Sequence, residues 1–146
     1  MKKLSLLFAM VLIGASFLSA HGADFVTTKE GTFFFTSVKY GLKCCLIGKS
    51  TEGKDVKYNL CDIKAYSKSG EVFEKMPVYK NNLPTGEENF MKVISYRNGL
   101  KLYEYEYLSK TTNTMSRRYY VFNADKLVVE MDGTNRAGLT AFFDAR

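Results

Sequence analysis

The chain has 146 residues, of which 46% are hydrophobic and 14% aromatic, with only 2 Pro and a formal charge of +6. Such aromatic content excludes a disordered chain, which lacks the apolar surface to offset ordering. The basic residues are scattered among acids and form no stripe, which argues against a nucleic-acid partner.

Met1, Lys2 and Lys3 precede an apolar run from Leu4 to Leu18 and a small-residue exit at Ser19-Ala20. That is the layout of a cleavable secretion signal. The run is shorter than the roughly 20 apolar residues that span a bilayer, so the product is not expected to be membrane-spanning. The cut is expected after Ala20 or after Gly22, the second placing a small Ala at the −3 position. No Cys follows the run directly, so a lipoprotein is not expected. The expected product is a periplasmic or secreted single β domain, 23–146. Lys2 and Lys3 leave with the signal, which lowers the charge from +6 to about +4.

After the signal, segments rich in Val, Ile, Tyr, Phe and Thr alternate with Gly, Asn, Asp and Ser clusters, the pattern of strands and turns. Predicted strands are Phe33–Lys39, Leu42–Lys49, Asp55–Ile63 and Glu71–Tyr79. The run Phe33-Phe34-Phe35 must turn at least one ring away from a one-sided core, as must Phe142-Phe143. Ser50–Lys54 is a hairpin loop that brings Cys44 and Cys45 across from Cys61. In an oxidising compartment a disulfide is expected, and adjacent strand residues face opposite ways, so only one of the pair can meet Cys61. The candidates are Cys45–Cys61 and, in the alternative register, Cys44–Cys61. The first is preferred, because Cys44 then shares an apolar face with Leu42 and Leu46 as a free buried thiol.

Thr85-Gly86-Glu87-Glu88 has the form of a capping box, and a short helix near 85–95 would follow from it. Asn98-Gly99 is a strong hairpin signal, which instead makes Met91–Arg97 a strand. The hairpin is favoured, with Ile94 meeting Tyr103. Leu100–Leu108, Ser116–Phe122 and Lys126–Met131 then form a meander. Its best-matched register sets Tyr105 beside Tyr119 and Tyr119 beside Val129. It gives an inward aromatic face of Tyr103, Tyr105 and Tyr119, shared with Val121 and Leu127. The other face carries a salt ladder of Glu106, Arg118 and Glu130, with the Arg between the two carboxylates.

The fold expected is all-β and mainly antiparallel, with seven or eight strands. A small meander barrel, lipocalin-like in shape, is preferred to a sandwich. The sole His is His21, beside the cut site, so neither a Ser/His/Asp nor a Cys/His arrangement is available. No phosphate loop or metal-ligand spacing occurs, and no cofactor or metal is expected. The expected function is a non-enzymatic binding module for a small apolar ligand or a protein partner. A secreted inhibitor or immunity-type protein is the alternative, and a carboxylate-based hydrolase comes third.

Overall fold

The computed structural model describes residues 23–133 and 137–139. The expected signal segment and Phe142-Phe143 lie outside the described residues. The architecture is mainly antiparallel β, as the patterning implied. Eleven strands run in chain order: β1 Asp24–Thr28, β2 Thr32–Phe35, β3 Ser37–Gly41, β4 Cys45–Lys49, β5 Asp55–Asn59, β6 Ile63–Lys68, β7 Glu71–Lys80, β8 Leu83–Arg97, β9 Leu100–Leu108, β10 Met115–Asn123 and β11 Lys126–Asp132. A 3-10 turn, Leu60–Asp62, joins β5 to β6. Residues 137–139 are helical.

Eight strands form one sheet in the order β11-β10-β9-β8-β7-β6-β1-β2, and β3-β4-β5 form a second. The larger sheet does not close: β2 and β11 are its two edges. Among the described residues neither sheet closes on itself.

Two polar side chains mark where the chain changes sheet. At Thr36 the backbone N–H and the hydroxyl both donate to the Lys49 carbonyl, at 2.8 and 3.0 Å, and the run Phe33–Lys39 bends there from β2 into β3. At Asn59 the side-chain oxygen accepts from the Cys61 N–H at 3.0 Å and caps the 3-10 turn. That turn breaks the predicted strand Asp55–Ile63 and returns the chain to the larger sheet.

Between these corners Val26, Phe35, Val38, Leu46, Ile63 and Tyr66 form a buried core that joins the two sheets. The approach is close at Gly48, where an added Cβ would stand 2.6 Å from the Phe35 ring. The core is held in place by Asp24, itself buried. Its carboxylate accepts from the Val38 N–H (3.0 Å) on β3, and from the Ser69 N–H (3.2 Å) and Ser67 hydroxyl (3.3 Å) near the β6–β7 turn. One side chain thus ties β1 to both sheets.

The rest of the larger sheet is a meander of tight hairpins. Ser69-Gly70, Asn81-Asn82 and Asn98-Gly99 each place two residues at positive φ, the twist that matches antiparallel strands. The Asn98-Gly99 hairpin forms as expected, and no helix forms near 85–95: β8 runs unbroken from Leu83 to Arg97. Thr85 does make a local bond, accepting from the Glu87 N–H at 3.3 Å. It does so inside a bulge, where Val78 alone faces Thr85, Gly86 and Glu87. A second bulge makes Ile94 the extra residue, so Val93 and not Ile94 lies opposite Tyr103.

Asp24→Ala is expected to leave buried donors on β3 and at the β6–β7 turn unpaired and to lower stability by about 1–3 kcal/mol. A urea melt of the variant against the parent measures this. Gly48→Val should cost a similar amount, about 1–3 kcal/mol, by forcing the Phe35 ring out of its place.

Candidate functional site

Both faces of the C-terminal meander are used. Directly paired residues share a face, and β9 pairs with β10 through Leu108–Met115, Tyr105–Arg118 and Tyr103–Tyr120. That is one residue away from the expected register. The cause is the loop: Ser109 donates to the Thr114 carbonyl and Asn113 turns at positive φ, which closes four residues, Lys110–Asn113, between the strands. A slip of one exchanges faces. Tyr103 and Tyr105 therefore lie with Tyr120 and Phe122. Tyr119 lies on the opposite face with Leu102, Val121 and Leu139. The expected inward row of Tyr103, Tyr105 and Tyr119 is thus divided between two cores. On β11 Val128 is an extra residue, so Val121 meets Val129, Tyr119 meets Met131, and Leu127 crosses to Phe122.

The expected ladder is divided for the same reason. Glu106 pairs with Arg117 at 2.8 Å, on the exposed surface. Arg118 keeps Glu130 at 3.7 Å and adds Asp132 at 3.8 Å. The Arg118–Glu130 pair is not a solvated rung. Their side chains are only 17% and 10% exposed, because the end of the β7–β8 hairpin folds over them. Arg118 donates to the Tyr79 carbonyl at 3.2 Å and the Tyr120 hydroxyl donates to the same oxygen at 2.6 Å. The Glu130 carboxylate accepts from the Asn81 N–H at 3.2 Å and from the Asn82 N–H at 2.7 Å. Arg118 also lies over the Tyr107 ring, 5.0 Å from its centre.

Beneath this cover Tyr103, Tyr120 and Phe122 are fully buried and packed edge-to-face or tilted against one another. Tyr103 donates to Glu74, whose carboxylate also takes Lys101 at 2.8 Å. Burial, and then the bond to Glu74, pushes the Tyr103 phenol well above the ordinary tyrosine range. Burial and the Tyr40 hydroxyl do the same for Tyr66, and burial does so for Tyr120. These phenols are therefore hydrogen-bond donors and not bases at neutral pH.

The cysteines do not pair as expected. The β4–β5 hairpin is centred on Glu52, so Cys45 lies across from Asn59, while Cys61 sits in the 3-10 turn. All three thiols are free. Cys44 is exposed in the β3–β4 turn at positive φ, beside the exposed Leu42, and it is not a buried apolar residue with Leu46. Cys45 donates weakly to the Leu42 carbonyl.

A cleft of about 350 Å³ opens beside the 3-10 turn, lined by Lys29, Cys61, Asp62, Ile63, Lys64, Lys75 and Glu88. The Lys75 ammonium in its lining donates to the Leu60 and Cys61 carbonyls at 2.8 and 3.1 Å. With five charged side chains in its wall it does not suit an apolar ligand. Among the described residues no three His, Cys, Asp or Glu side chains group to hold a metal. No helix among them is long and apolar enough to cross a membrane.

The triple-Phe run behaves as strand alternation requires. Phe33 and Phe35 turn toward Tyr58 of the smaller sheet, with ring centres 5.9 Å apart in each case. Phe34 turns the other way and is 64% exposed, touching only Phe25 among the described rings. It stands on β2, an edge strand of sequence Thr-Phe-Phe-Phe that carries no charge.

Stability is expected to fall as the pH rises past about 10, where an unfolded tyrosine ionises. The folded chain holds its buried phenols protonated beyond that pH, so it binds more protons than the unfolded chain and loses stability on deprotonation. Urea midpoints at pH 9 and pH 11 should show the drop. Tyr103→Phe should lower stability at pH 7 and make the alkaline fall shallower.

No family model, no curated protein and no solved structure matches this chain.

Proposed function

We propose that the chain is a non-enzymatic binding module that docks a protein partner in the periplasm or outside the cell. The observation that carries the reading is Phe34: a large ring, 64% exposed, on an uncharged edge strand. Edge strands are ordinarily guarded by charge, proline or a bulge. The other end of the same sheet follows that rule, since β11 has Lys126, Glu130 and Asp132 and a bulge at Val128. β5, an edge of the smaller sheet, has Asp55 and Lys57. An exposed aromatic where protection is customary suits an interface, and aromatic residues are enriched at interface cores. A protein partner is preferred to a small apolar ligand because the described aromatic faces are filled by their own rings and the described cleft is charged. The proposed compartment rests on reading residues 1–22 as a cleavable secretion signal, cut after Ala20 or Gly22.

Affinity capture of the tagged mature chain from its own envelope fraction, run in parallel with Phe34→Lys, tests the reading. The parent should retain a partner that the variant loses, with the variant's stability within about 0.5 kcal/mol of the parent's, as for other surface changes. Equal capture by both chains would remove Phe34 from the interface.

A further inference from the structure

The end of the β7–β8 hairpin is built unlike the strands that carry it. Every residue from Asn81 to Asn89 is exposed. The hairpin is the longest among the described residues, yet beyond its bulge it touches the body mainly through Tyr79. That ring lies 6.0 Å from Phe122 and 6.5 Å from Tyr120. The remaining ties are to main-chain atoms of the tip. Arg118 and the Tyr120 hydroxyl read the Tyr79 carbonyl, and Glu130 reads two successive N–H groups, Asn81 and Asn82. Between tip and sheet lies the bulge in which Val78 faces three residues, with Gly86 at φ +83. A segment with little buried apolar surface beyond a break in the ladder belongs to the low end of local stability.

The receiving surface is specific where the tip is not. It presents an aromatic slot, a pair of donors for one carbonyl and a carboxylate for two amides. That set recognises the main chain of a turn that carries one aromatic ring, whatever its other side chains. Arg118 also has donor capacity left over, since its Nε is buried without a hydrogen bond among the described residues, with Asp132 at 3.8 Å.

We infer that residues 79–84 are a detachable plug, and that the surface of Tyr120, Phe122, Arg118 and Glu130 is a second binding site, for a turn segment of a partner polypeptide bearing one aromatic residue. The plug is that site's resident ligand and a partner's turn displaces it. This site is separate from Phe34 and stands whether or not Phe34 docks anything.

The probe is a labelled synthetic peptide of residues 78–85, Val-Tyr-Lys-Asn-Asn-Leu-Pro-Thr, titrated by fluorescence anisotropy into the mature chain carrying Tyr79→Ser. Saturable binding is expected, with loss when the peptide's Tyr is replaced by Ala or when Arg118→Gln is added to the chain. The unaltered chain should bind about tenfold more weakly or worse, because its tethered plug competes at an effective concentration near the millimolar range. A folded Tyr79→Ser chain that ignores the peptide, or equal binding by both chains, overturns the inference. Hydrogen exchange on the unaltered chain decides the matter if Tyr79→Ser does not fold. Asn81 and Asn82 amides exchanging about tenfold or more faster than those of β9 support a plug that opens locally. Exchange in step with β9 means that the tip is part of the core and overturns it.

Discussion

The arrangement depends on one buried carboxylate. Asp24 stands at the first position of β1, and its two oxygens take donors from β3 and from the β6–β7 turn. Beside that tie the Val26–Tyr66 core has apolar contact, the hydroxyl pair of Tyr40 and Tyr66, and the corner bonds from Thr36 to the Lys49 carbonyl and from the Leu60 N–H to the Cys44 carbonyl. Apolar contact is non-directional and does not select one crossing of two sheets. A charged acceptor with several backbone donors does, because each donor left unpaired in a buried place is costly.

The larger sheet then has to bury surface on both sides. Pairing carries Val26, Tyr66 and Phe73 onto one face, where the smaller sheet covers them. The same face passes through charged ground at Lys92 and Glu104 before reaching Tyr119, Val121 and Leu139. Among the described residues the opposite face is covered toward the C-terminal end, where the bent hairpin lies over Tyr120 and Phe122. Among the described residues the apolar side chains gather in three small cores on the two faces. The bulge at Ile94, a single extra residue, exchanges the faces of the β8 residues beyond it, whereas the two extra residues opposite Val78 bend the hairpin and keep its alternation.

How much of this was legible varies by element. The hairpin at Asn98-Gly99 was readable because its turn chemistry is local, and the strand limits Leu100–Leu108 follow from composition. The corners at Thr36 and Asn59 carry no such signal. Their residues are ordinary in strands and loops alike, and only their partners, Lys49 and Cys61, give them meaning. The β9–β10 register differs by one residue from the expectation, which takes one face as apolar and the other as polar. With both faces buried, apolar and charged residues mix on each, and the pattern no longer selects the register. Thr85-Gly86-Glu87 imitates a helix start because the hydroxyl that caps a helix makes the same short-range bond inside a bulge.

The sequence alone determined the antiparallel β class, the absence of a histidine-based catalytic set in the chain after His21, and the outward turn of one ring in Phe33-Phe34-Phe35. Each rests on composition or on the two-residue period of a strand, which no partner can change. Tertiary structure decided that Cys45 faces Asn59 and that Tyr119 parts from Tyr103. It also decided that Arg118 and Glu130 lie under a hairpin end instead of in water. Those outcomes turn on a single residue in a loop or a bulge, and the balance there is set by contacts between segments far apart in the chain.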